Sequence, residues 1–122
     1  MFELIDKDAN ITGTSLQGHI EADFDDLVKA FGKPTYDSIE DGPSDKVHTQ
    51  WALEFEDEEG DLVVATIYDW KEDSPFASRV GTYNWHIGGN SYAAVEAVYD
   101  YAKAYESTQG GVAFFGEETA NA

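Results

Sequence analysis

Three histidines, His19, His48 and His86, are the residues of this chain best suited to moving protons or holding a metal. A zinc-type site draws its ligands from a short loop or from one helix face at i and i+4. Each His lies in a different stretch, no pair has that spacing, and the chain contains no Cys. No metal and no cofactor is therefore expected. The segment "DEEGD", Asp57 to Asp61, has the acidity of a calcium loop but lacks the alternating ligands, sixth glycine and twelfth Glu of one. Acid pairs for glycoside hydrolysis need a defined separation across a cleft, and among 25 Asp and Glu such pairs arise by chance. Ser91 near His86 lacks a nucleophile elbow and an orienting acid. No catalytic residue is assigned, and a non-enzymatic protein is the expectation.

One further stretch, "WHIGGNS" from Trp85 to Ser91, places two glycines between a strand and a helix, where backbone N–H groups can cradle an anion. Its spacing is that of neither a phosphate-binding loop nor a dinucleotide motif. Gly88 and Gly89 read better as a tight strand-to-helix turn, with Trp85 in the core.

These residues must be positioned by elements the period reveals. Thr14 to Ala22 alternates Leu16, Gly18, Ile20 and Ala22 against Gln17, His19 and Glu21, a half-buried strand. In "DFDDLVKAFGKP" Phe24, Leu27, Val28 and Phe31 follow the helical period, with Asp23 as N-cap and Gly32 as the stop. Thr35 to Lys46 has no period and reads as a loop. A second strand puts Thr49, Trp51, Leu53 and Phe55 on one face and Gln50, Ala52, Glu54 and Glu56 on the other. After the acidic turn, Leu62 to Trp70 is apolar on both faces for most of its length, as in a central strand covered on both sides or covered partly by a partner. Lys71 to Gly81 is a loop, and "TYNWHI" is the fourth strand. A helix then starts near Asn90 or Ser91, buries Ala94, Val95, Val98, Ala102 and Tyr105, faces Glu96, Asp100, Lys103 and Glu106 to solvent, and ends at Gly110 and Gly111.

The expected fold is α+β, an antiparallel sheet of about four strands with two helices in the order β-α-β-β-β-α. A length of 122 residues fits a single domain, 1–122, with a folded core over 14–107 and residues 108–122 as a tail or, through "VAFF", a short added strand. The absence of Cys suits a reducing compartment, and the N-terminus carries acids where a signal peptide carries bases. A soluble intracellular protein is expected.

Charge is the outlying quantity: 25 acids against seven bases leave a net −18. A field of that sign repels nucleic acid and anionic lipid, so direct binding to either is not expected. Solubility is the plain explanation. The sharper one makes the negative surface the working part, offering a basic protein what DNA would offer. Same-face strand residues such as Glu54 and Glu56 lie about 6.5 to 7 Å apart, near the spacing of neighbouring phosphates on one DNA strand.

The series "FGKP", "WALEFE", "ATIYDWK" and "WHIGG", in this order and spacing, resembles a family of small, largely uncharacterised tailed-phage proteins. The resemblance covers roughly Gly18 to Val98 and brings no catalytic residues. The "DEEGD" turn and its flank are more acidic than the family's usual short turn, and the tail after Ser107 is peculiar to this chain. What the resemblance implies is a phage accessory protein acting in the host cytoplasm.

Resemblance and charge together give the expected function: an acidic protein that binds and inhibits a basic host protein, a DNA-binding or defence protein, by DNA mimicry. Its partner-binding residues are Glu54, Glu56, Asp57, Glu58, Glu59, Asp61, Asp69, Glu72 and Asp73, with a secondary acidic patch of Asp37, Glu40, Asp41 and Asp45. The alternative is an acidic interaction module, or a homodimer, whose contacts are the apolar "LVVATIYDW" and "VAFF".

Overall fold

Strict alternation from Thr49 to Glu56 becomes a strand that buries Thr49, Trp51, Leu53 and Phe55 completely while Gln50, Glu54 and Glu56 stay half exposed. The structure, a computed structural model, describes residues 2–116. Its elements are β1 (Glu3–Asp6), β2 (Ser15–Asp23), α1 (Phe24–Phe31), β3 (Tyr36–Asp37), α2 (Ser38–Asp41), β4 (Thr49–Glu56), β5 (Leu62–Tyr68), β6 (Thr82–Gly89), α3 (Ala93–Thr108) and β7 (Phe115–Gly116). The strands form one antiparallel sheet in the order β1-β4-β5-β6-β2-β7, with β3 added beside β4.

The α+β class stands, but the described residues form seven strands where about four were expected and three helices where two were expected. The extra elements β1, β3, β7 and α2 are two to four residues long. That is too short for a period of 2 or 3.6 to show, and each strand forms only because a distant strand supplies its hydrogen-bond partners. Residues 3–6 join the sheet although they precede the expected core. Residues 115–116 form the short added strand, and residues 117–122 of the expected tail lie outside the described residues.

Helices α1 and α3 cover one face of the sheet. Between them and the strands lies a single cluster that includes Ile20, Leu27, Phe31, Trp51, Ile67, Trp85, Ile87 and Val98. Trp51 and Trp85 meet edge to face at its centre, and each indole N–H is satisfied by a carbonyl, Gly32 O and Ala22 O respectively. Gly32 ends α1 at φ +89°, donating its N–H to Val28 O. Asp23 precedes α1 without capping it; its carboxylate accepts from the Thr82 hydroxyl instead.

Gly88 and Gly89 serve opposite faces of the sheet, which the turn reading did not anticipate. A Cβ on Gly89 would stand 2.3 Å from the Ala94 Cβ, so this glycine lets α3 lie close on β6. On Gly88 it would stand 2.4 Å from Thr66 Oγ1, on the uncovered side. Glu106, expected at the surface, is buried: its carboxylate accepts from the Phe114 and Phe115 N–H groups and anchors β7. No helix among the described residues is long and apolar enough to cross a membrane.

Candidate functional site

Because side chains alternate, the face turned away from α1 and α3 carries the residues between the core positions. Register aligns them into rows. One row runs His19, His86, Tyr68, Gln50 and Tyr36 across β2, β6, β5, β4 and β3. The next runs Leu16, Gly88, Thr66 and Ala52. At the far end Val64 lies beside Glu54 and Asp6, and Leu62 beside Glu56 and Glu3. The face therefore has two regions, a central cleft and an acidic end.

The acidic end holds the residues expected to bind a partner. Glu54 and Glu56 do share a face, and β1 sets Asp6 and Glu3 directly opposite them. Directly opposed side chains in an antiparallel pair stand about 4.5 to 5.5 Å apart at Cβ, and like charges there repel. Two ion pairs of the fold, Lys33–Glu40 and Arg79–Asp37, lie elsewhere. Glu58, Glu59 and Asp61 extend this end as an exposed turn. Asp57 is part of the turn's frame: its carboxylate accepts from the Glu59 and Asp61 N–H groups, while Gly60 takes φ +86°.

Asp69 and Asp37 do not belong to any outward acidic surface, which corrects the sequence reading. Asp69 is fully buried and accepts from the His48 N–H, the Thr49 N–H and the Ser78 hydroxyl, at 2.8, 3.0 and 2.9 Å. Asp37 is buried against Arg79, 2.9 Å away, and caps the Ile39 N–H. Burial raises the Asp37 carboxyl, but the Arg79 hydrogen bond, the Ile39 N–H and the Arg79 charge outweigh it and hold the group below the usual carboxylate range. Arg79 also donates to Thr49 Oγ1, so these groups tie the 37–48 and 69–81 loops to the start of β4. Glu72 accepts from the Tyr83 hydroxyl at 2.6 Å, and Tyr83 is raised far above the usual phenol by burial first and by Glu72 second. Asp73, Glu40, Asp41 and Asp45 are exposed, though Glu40 pairs with Lys33 and Asp41 accepts from the Asp37 N–H.

His48, a candidate metal ligand by residue type, is a structural clamp. Its Nε2 donates to the Glu72 carbonyl at 2.9 Å, which can only accept, and its Nδ1 lies 2.9 Å from the Ser38 hydroxyl. Among the described residues no three His, Cys, Asp or Glu are grouped to hold a metal.

The central cleft was missed by sequence reasoning. It has a volume of about 450 Å³ over the middle of the sheet, with Gly88 and Thr66 at its floor and Leu16, Val47, Gln50, Tyr68, Trp70 and His86 around it. Tyr68 stacks on His86 with ring centroids 5.2 Å apart, and Trp70 meets Tyr68 edge-on at 6.0 Å. On its other side His86 lies 4.8 Å from His19. Burial depresses the His86 imidazole, the neighbouring His19 adds to this, and Asp69 and Glu72 oppose it. Burial also raises the Tyr68 phenol. The one signal in the sequence was the alternation Thr66, Tyr68, Trp70 and His86, Gly88, which reads as two separate half-faces until pairing joins them.

Searches of protein-family models, curated proteins and solved structures find nothing that matches this chain.

Proposed function

We propose that this chain is a phage-encoded, non-enzymatic accessory protein that inhibits a basic host protein in the host cytoplasm by occupying its nucleic-acid site. The observation that supports this reading is the double row of Glu3, Asp6, Glu54 and Glu56 on an uncovered sheet face, continued by the exposed acids of the 57–61 turn. Cross-strand pairs of like charge work against folding, and a binding role gives them a use that internal packing does not. Spacing of about 6.5 to 7 Å along β4 suits side chains that stand in for phosphates. Such an acidic face speeds encounter and weakens steeply with salt.

The alternative, an apolar interaction module or homodimer, has less support. The stretches that motivated it are used in part within the chain: Ala65 and Ile67 are core residues and Phe115 is buried at β7, while Leu62, Trp70 and Val112 stay exposed. The test is capture of host proteins on the immobilised chain, with excess duplex DNA as competitor and with a variant carrying E54Q, E56Q, E58Q and E59Q. A basic protein released by DNA and not captured by the variant is the expected outcome. Capture indifferent to both would overturn mimicry and return the charge to a matter of solubility.

A further inference from the structure

The cleft on β5 and β6 differs from its surroundings in charge. No acid among the described residues lines it, although acids make up one residue in five of the chain. Two of the seven bases stand at its rim instead. Lys46 Nζ and Lys71 Nζ lie 5.7 and 5.8 Å from the centre of the Trp70 ring, and neither forms an ion pair with a described residue. They are held there by an unusual backbone. Lys71, at φ +54°, is the one non-glycine residue among those described with a positive φ, and its N–H donates to the Lys46 carbonyl at 2.7 Å. A left-handed conformation at a residue other than glycine persists only when its surroundings enforce it, and such positions gather at binding sites.

The other groups fit the same kind of ligand. Trp70 is 37% exposed beside the half-buried Tyr68, which offers a flat aromatic surface open to solvent. Gln50 and Thr66 supply an amide and a hydroxyl at the cleft, and His86 Nδ1 is buried without a hydrogen-bond partner among the described residues. A missing side chain at Gly88 keeps the floor open next to Thr66. A volume of about 450 Å³ falls within the usual range for small-molecule sites, roughly 300 to 1,000 Å³. Most of this acidic protein repels anions, so a local pair of lysines beside an aromatic cleft with no acid in its described lining is charge-complementary to a small anion carrying a ring, with Asp69 and Glu72 the nearby acids it must tolerate.

We propose that this cleft binds a small planar heteroaromatic anion, with its ring against Trp70 and Tyr68 and its charged group beside Lys46 and Lys71. A cation beside an aromatic wall favours this pairing over a neutral ring or a free anion. The site is independent of the acidic end and of the partner proposed for it.

The test is a titration of the full chain followed by amide chemical shifts. The probes are adenosine monophosphate and nicotinate, two heteroaromatic anions whose charge is a phosphate or a carboxylate, with adenosine and inorganic phosphate as controls. Expected are saturable shifts at Gln50, Thr66, Tyr68, His86 and Gly88 with at least one of the two anions, binding about tenfold tighter than either control. Whichever binds identifies the charged group the site accepts. Trp70→Ala should weaken that binding, and the K46A/K71A pair should remove the preference over the neutral ring. All three positions are exposed, and the spectra of the free variants report whether they fold. The proposal is overturned if neither anion gives saturable shifts, if shifts fall outside the cleft, or if both variants bind as tightly as the parent. E54Q/E56Q should leave this binding intact, which separates it from the acidic surface.

Discussion

Two regions share one face of one sheet and treat charge in opposite ways. At the β1–β4 end, Glu3, Asp6, Glu54 and Glu56 oppose one another in cross-strand pairs. A few residues along, the cleft over β5 and β6 is lined by aromatic, aliphatic and neutral polar groups and edged by two lysines. Acids are accommodated where water can solvate them, and they cross into the interior only with a full set of donors, as at Asp69. The same residue type thus plays two parts, a repelling surface charge at one end and a buried clamp behind the cleft.

Removing an acid in each place is the sharpest way to break that comparison. Asp69→Ala strands two buried donors and a half-buried one and should lower the free energy of unfolding by about 3 kcal/mol, read from the urea midpoint. Next in size are the glycines. Gly89→Ala should destabilise by about 1 to 3 kcal/mol because its Cβ meets Ala94 at the α3 contact. Gly88→Ala meets the Thr66 hydroxyl instead, so its loss should shrink by at least about 0.5 kcal/mol when Thr66→Ala is combined with it. A thermodynamic cycle over the four proteins measures that coupling; strict additivity would place the clash elsewhere.

Neutralising the acidic end should act in the other direction. E54Q/E56Q relieves repulsion from Glu3 and Asp6 and should stabilise the fold by about 0.2 to 1 kcal/mol at low salt. That gain should fade as salt rises and screens the parent's repulsion, which paired urea titrations at about 0.01 and 1 M salt would show.

The smallest effect belongs to His86. Its folded value lies below the ordinary 6.5, so between the two values the unfolded chain binds more protons. Stability from this group is complete above pH 6.5 and is lost as pH falls through the depressed folded value. Carboxylates contribute their own slope at lower pH. The contribution of His86 is read as the difference between parent and H86Q, with His19, Asp69 and Glu72 the charges that tune it. A variant with the same slope as the parent above the carboxylate range would show that His86 titrates as it does in the unfolded chain.

The sequence by itself determined the class and most of the long elements. Alternation over 49–56, the helical stripe of Phe24, Leu27 and Phe31, and the stop at Gly32 each express a local rule, because one strand or one helix decides its own period. It also determined the net charge and that Glu54 and Glu56 share a face. Only the tertiary structure decided what lies beside them. β1 brings Glu3 and Asp6 across from β4, β6 brings His86 onto Tyr68, and buried donors draw Asp69, Asp37 and Glu106 inward. Those outcomes depend on pairing between residues far apart in the chain. A local pattern carries no record of which distant strand completes its hydrogen bonds, so neither the cleft nor the full acidic row is visible until the sheet closes.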